Sequence, residues 1–184
     1  MNIADDEDLL LLIGSGFITK GLDRALLAIS ALPLPLRQKI RFFVIGQDSP
    51  RQFESMANRL GIADRLTIFK GRDDVPRFLM GADLLVHPAY IENTGTVLLE
   101  AIVAGLPVIA TDVCGYAPYI TEAGAGELIP SPYAQETFNT MLQSMLQSSD
   151  REQWSKNGIR FASHADIYDM PDRATDFIEK AAAR

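Results

Sequence analysis

The sequence predicts one α/β domain, with a doubly wound, mostly parallel sheet and a helical C-terminal tail. Three observations predict it. Short apolar runs alternate with longer helical patterns along nearly the whole chain, which is the order of β-α-β units. The runs are continuously apolar, as strands are when helices cover both faces of a sheet. Their ends carry Gly14-Ser15-Gly16, Gly46-Gln47-Asp48, Gly71-Arg72-Asp73, His87-Pro88 and Thr111-Asp112. In an open sheet the carboxyl ends of the strands line the ligand crevice, so these residues mark it.

Leu9–Ile13 reads as a buried strand ending at Gly14, followed by a helix over Arg24–Leu32 that Pro33 stops. Arg41–Ile45 is the next strand, and a helix around Gln52–Leu60 ends at Gly61, a residue suited to a helix C-cap. Leu66–Phe69 is a strand closed by Gly71, and a short helix near Asp74–Met80 leads to the strand Asp83–Val86. Asp73 and Asp74 suit the N-terminus of that helix, where acids favour the helix dipole. A helix over Gly95–Ala104 precedes the strand Pro107–Thr111, then a short helix at Ala117–Ala123 and a strand at Glu127–Ile129. Three helical stretches run from Tyr133 to the end. The domain is thus Rossmann-like over about 8–130, with a helical tail over about 131–184, and 1–184 form one unit.

Composition narrows the function. The 184 residues are 47% hydrophobic and 22% charged, ordinary for a globular protein and sufficient for a real core. No apolar run approaches the roughly 18 residues of a membrane span. The acidic start, MNIADDED, is unlike the basic beginning of a secretory signal. The single cysteine, Cys114, has no partner for an internal disulfide, which suits a reducing cytoplasm. A net charge of -7 argues against nucleic acid as a partner. An anionic ligand would have to be held by a few local charges or by helix ends.

Gly14-Ser15-Gly16 invites a dinucleotide reading, but G-x-G-x-x-G needs glycine where Thr19 stands. The same turn supplies Lys20, which could meet a phosphate as a point charge or be a solvated helix-start lysine. The most informative stretch is Glu92-Asn93-Thr94-Gly95-Thr96-Val97-Leu98-Leu99-Glu100. Its helix is apolar almost all round, broken by Thr96 and Glu100, which lie four apart on one face. A buried carboxylate there is costly unless donors satisfy it, as ribose hydroxyls or a neighbouring backbone would. The free N–H groups of Gly95, Thr96 and Val97 offer a seat for a diphosphate. His87, without metal-like partners, reads as structural, and Cys114 as a packing or turn residue.

The E-x7-E pair Glu92 and Glu100, the preceding HPAY of His87–Tyr90 and the LLEAIVAGLPVIATDVCGY of Leu98–Tyr116 resemble the retaining GT-B glycosyltransferases. The match is to the C-terminal, nucleotide-sugar-binding domain of the group 1, or family 4, type. The Lys20–Arg24 turn (KGLDR), the VIGQD of Val44–Asp48 and the FKGRDDV of Phe69–Val75 agree in order and spacing. The resemblance covers essentially the whole chain. The CGY and GQD wording points more narrowly to the lipopolysaccharide core glucosyltransferases, which use UDP-glucose.

The resemblance implies specific roles. Glu92, with the backbone of Asn93, Thr94 and Gly95, would hold the donor sugar hydroxyls; Thr96 and Val97 N–H groups would take the diphosphate together with Lys20. Glu92 and Lys20 would be the catalytic residues, Glu100 would bind ribose, Gly16 would line the phosphate turn, and Gly71, Arg72 and Val75 would bracket the uracil. Many members carry arginine five residues before the lysine, or beside it, where Ser15 and Thr19 stand here. Arg24 or Arg72 would then supply additional phosphate charge. The expected chemistry is hexose transfer with retention, with no cofactor and no metal ion. The expected partners are a UDP-sugar and a glycan or lipopolysaccharide core acceptor, the latter held by an N-terminal acceptor domain that this chain lacks. Any membrane contact would be made outside this domain, by a cytoplasmic protein peripheral to the inner membrane. Two alternatives use the same crevice: a non-catalytic nucleotide-binding or regulatory module, and a fragment of a GT-B UDP-sugar epimerase.

Overall fold

The structure, a computed structural model, describes residues 3–167 and 169–182. The centre of the sheet is β1 (Asp8–Ile13), where Leu9 through Ile13 are all buried. Alternate residues serve opposite layers: Leu10 and Leu12 join one core cluster, whereas Leu9, Leu11 and Ile13 join the other. Each fully buried leucine contributes roughly 1.5–3 kcal/mol, so both faces favour this register.

After β1 come α1 (Leu22–Ala31), α2 (Leu34–Arg37), β2 (Ile40–Ile45), α3 (Arg51–Arg59), β3 (Leu66–Phe69) and α4 (Val75–Gly81). The second half holds β4 (Leu84–His87), α5 (Thr96–Ala104), β5 (Val108–Thr111), α6 (Ala117–Ala123) and β6 (Gly126–Ile129). The tail is α7 (Gln135–Gln147), α8 (Arg151–Ala162) and α9 (Met170–Ala182). The strands lie in the order β3-β2-β1-β4-β5-β6, and every neighbouring pair is parallel. This is the doubly wound architecture expected from the sequence. Strand order reverses between β1 and β4, so the crevice opens over those two strand ends.

Leu22, Leu26, Phe53, Phe138 and Leu142 cover one face of the sheet; Leu79, Leu98, Ile102 and Ile120 cover the other. Several boundaries differ from expectation. Pro33 does end the α1 segment, but a further single turn forms at once over Leu34–Arg37, since proline is tolerated in a first helical turn. A 3₁₀ turn at Ala63–Arg65 was not expected either. β4 continues through His87, whose backbone pairs with Ala110 of β5. α1 starts at Leu22, two residues earlier than the pattern suggested, and α5 starts at Thr96. Gly95 precedes α5 with φ 75°, a left-handed conformation that costs glycine little and other residues more. No helix among the described residues is long and apolar enough to cross a membrane.

Candidate functional site

At the switch point the loop after β1 meets the loop after β4. Lys20 Nζ forms an ion pair with Glu92 Oε2, with the two side chains 18% and 11% exposed. His87 Nε2 lies 3.3 Å from the same Glu92 oxygen, and His87 is completely buried. Burial lowers the His87 pKa, against an opposing pull from the Glu92 charge. The ring is therefore neutral at pH 7, and contact with a carboxylate requires Nε2 to carry the proton. Its Nδ1 is buried without a hydrogen-bond partner among the described residues. Burial alone would raise the Glu92 pKa, but the Lys20 ammonium and His87 together outweigh it, and the carboxyl stays below its ordinary range. The result is an anion held between a cation and a neutral donor at a cleft floor.

The N-terminus of α5 borders this group. Leu98 N–H donates to Gly95 O at 2.8 Å, whereas the N–H groups of Thr96 and Val97 find no acceptor among the described residues. They present partial positive charge beside Lys20 and Glu92, the usual electrostatics of an anion seat.

Two short motifs brace the loops. Gln47 N–H donates to Ser15 Oγ at 3.1 Å, and Gly16 N–H donates to Asp48 Oδ2 at 2.6 Å, so the GQD segment after β2 fixes the Gly16 turn. On the other side, Tyr116 N–H donates to Thr94 O at 2.8 Å, and Glu92 and Cys114 form an isolated parallel bridge. Gly115 sits between them so tightly that a Cβ there would lie 2.1 Å from Asn93 O. The CGY segment is thus a backbone clamp on Glu92–Gly95. Cys114 itself is buried beside Thr111, with burial pushing its thiol pKa up to about 11, which fits a packing residue.

Val75 and Glu100 line a neighbouring cavity of about 600 Å³, with Ile13, Leu79, Met80 and Val103. The expectation that Glu100 is buried does not hold: it is exposed, and its side chain makes no hydrogen bond among the described residues. Apart from Thr96 and Glu100, helix α5 is apolar all round, but its face towards α4 borders the open cavity, leaving Val103 42% exposed. Glu100 therefore has its carboxylate available to a ligand without a desolvation cost in the free chain.

Gly71 and Arg72 lie on the exposed β3–α4 loop, with Gly71 against the Gln47 side chain. Neither arginine weighed as extra phosphate charge is a free cation. Arg72 forms a two-pronged pair with Asp74, at 2.6 and 2.9 Å, which holds that carboxyl below its usual range. Asp74 precedes α4 but makes no side-chain cap bond, because it is turned to Arg72. Arg24 Nη1 donates to the carbonyls of Pro88 and Ala89 at 3.1 and 3.0 Å, with its guanidinium between the rings of Tyr90 and Tyr133. The structure thus brings Lys20 and Glu92–Val97 together at the switch point and places Glu100 and Val75 on the neighbouring cavity, which Ile13 at the end of β1 also lines. His87, read from sequence as structural, belongs with them through Glu92. The signal was its place as the last residue of a central strand, five before Glu92.

Comparison with known proteins places this geometry in context. The profile described as Glycosyl transferases group 1 matches residues 1–161. The lipopolysaccharide glucosyltransferase WaaG of Escherichia coli K12 is 47% identical over 177 residues, 96% of this chain and 47% of that protein. A crystal structure of WaaG, described as a glycosyltransferase involved in lipopolysaccharide biosynthesis, matches with TM-score 0.93 at 46% identity. The match covers 96% of this chain and 48% of that one. Anabaena HepE in complex with UDP-glucose matches with TM-score 0.79 over 97% of this chain and 50% of that one; at 21% identity the likeness is one of fold. The chain spans about half the length of the relatives it matches.

Proposed function

Because the chain belongs to the group 1 glycosyltransferases, we propose that its crevice is the nucleotide-sugar donor site of a retaining hexosyltransferase, with UDP-glucose as the donor. The observation that carries this reading is the convergence of Lys20, Glu92 and the open N-terminus of α5 where strand order reverses. In the free chain Lys20 and Glu92 neutralise each other. An arriving diphosphate would take Lys20 and the Thr96 and Val97 N–H groups. Glu92, released from the ammonium but still held by His87, would accept hydroxyls of the transferred sugar. The exposed Glu100 would accept the ribose hydroxyls, and the cavity beside it, with the Gly71–Val75 turn, would take the base.

Transfer itself requires the acceptor to be held against the donor, a contribution worth up to roughly 7–11 kcal/mol. We assign that task to a facing acceptor-binding half, and the acceptor class to glycans of the lipopolysaccharide core, in line with the likeness to WaaG. Stabilisation of the leaving diphosphate by Lys20 and α5 is the donor half's share of the chemistry. This charge complement needs no divalent cation, so EDTA should leave UDP affinity unchanged. Calorimetric titration of the chain with UDP, UDP-glucose, UDP-galactose and ADP-glucose tests the reading. Binding of UDP and UDP-glucose in preference to ADP-glucose is expected; absence of binding by all four overturns it.

A further inference from the structure

We propose that Arg24 is a positioning residue for the donor sugar, holding the His87–Glu92 segment in place from behind without touching the ligand. Its guanidinium carbon lies 3.4 Å from the Tyr90 ring centre and 3.6 Å from that of Tyr133. From between the rings, Nη1 reaches the Pro88 and Ala89 carbonyls at 3.1 and 3.0 Å, at the bend joining His87 to Glu92. A planar cation between two aromatic faces is held in its plane as well as in place, so its N–H groups have a fixed direction. Lysine has the charge but neither the plane nor the fork.

The rest of the assembly ties three parts of the chain to this point. Tyr90 OH donates to Asp23 Oδ2 at 2.7 Å, and Tyr90 N–H donates to Thr19 O at 2.8 Å, joining the bend to the Lys20 turn. Tyr133 OH donates to Gln135 Oε1 at 2.7 Å, and Gln135 Nε2 donates to Arg24 O at 3.1 Å, joining the start of the helical tail. Thr111 Oγ1, at the end of β5, also donates to the Ala89 carbonyl at 2.9 Å. Without Arg24 the Pro88 carbonyl loses its side-chain donor and the Ala89 carbonyl keeps only Thr111, which loosens the bend and with it Glu92 relative to Lys20. Arg24 thus acts on Glu92 through the backbone, whereas the Lys20 turn, though joined to the bend at Thr19, is also held by its own bonds, Lys20 N–H to Gly16 O and Gly21 N–H to Ile18 O.

This inference rests on the reading of Glu92 as the sugar-facing group, and the experiment separates the two. Arg24→Lys and Tyr133→Leu, which removes one stacking face, are compared with wild type by calorimetry with UDP and UDP-glucose, and by amide hydrogen exchange without ligand. Both variants should lose UDP-glucose affinity at least fivefold and UDP affinity less than twofold. Exchange at residues 89–92 should rise at least tenfold, with exchange in β1 unchanged. Equal losses for the two ligands, or unchanged exchange at 89–92, overturn the proposal. If wild type binds neither ligand, the donor-site reading fails while the exchange result still decides whether Arg24 holds the bend.

Discussion

Gly115→Ala isolates the backbone clamp on the donor loop. No positive φ is involved at this position, so alanine's backbone preferences are not the obstacle; the obstacle is space. The added Cβ would lie 2.1 Å from Asn93 O. A carbon–oxygen contact normally closes at about 3.3 Å, so the loop must retreat by about 1.2 Å. Retreat breaks the Tyr116 N–H to Thr94 O bond and the Glu92–Cys114 bridge, and overpacking of this kind costs roughly 1–3 kcal/mol of stability. For a chain of this size each kcal/mol lowers the melting temperature by about 2–4 °C. Glu92 moves with the loop, and one misplaced hydrogen bond to a charged group is worth roughly 1.5–3 kcal/mol, so UDP-glucose affinity should fall about 10- to 150-fold. Thermal denaturation and calorimetric titration read the two effects. Gly81→Ala is the control, because an added Cβ there meets nothing within 4 Å. A Gly115→Ala protein that melts and binds like wild type would refute the clamp.

Three further outcomes follow from the same geometry. Lys20→Ala should weaken UDP at least tenfold and uridine less than twofold, measured by titration; equal losses would place Lys20 away from phosphate. Glu100→Ala should weaken UDP by roughly 1.5–3 kcal/mol with stability changed by no more than about 0.5 kcal/mol, since the side chain is exposed and unpaired among the described residues. A drop in melting temperature without loss of affinity would make it structural instead. Acid should destabilise the chain in two ways. The lowered Glu92 pKa gives stability that is present at neutral pH and is lost as pH falls through its folded value; the buried His87 resists protonation, so stability falls once pH drops below about 6.5. His87→Asn should flatten the upper part of that fall in denaturant titrations at a series of pH values, and an unchanged slope would contradict the assignment.

The sheet was legible because its strands are short, unbroken apolar runs such as LLLLI and FFVI set between helical patterns, as a parallel sheet covered on both faces requires. The site was legible in part. Glu92, Gly95 and Lys20 stand out as a carboxylate, a glycine and a cation at strand ends. The exposure of Glu100 was not legible, because periodicity reports apolar residues on every side of α5 but not that one of its sides faces an open cavity. Nor was the engagement of Arg24: the tyrosines that hold it are 66 and 109 residues further along the chain, at Tyr90 and Tyr133. The GQD and CGY segments read as family wording and are, in the structure, backbone braces whose partners lie 32 and 22 residues earlier in the chain.

The most direct test of the donor-site account is a crystal structure of this chain with UDP-glucose bound. The account predicts the diphosphate on Lys20 and the N–H groups of Thr96 and Val97, the ribose on Glu100, and the glucose hydroxyls on Glu92, with the Lys20–Glu92 pair opened. Electron density for the nucleotide away from the β1–β4 switch point, or a bound donor that leaves that ion pair intact, would contradict it.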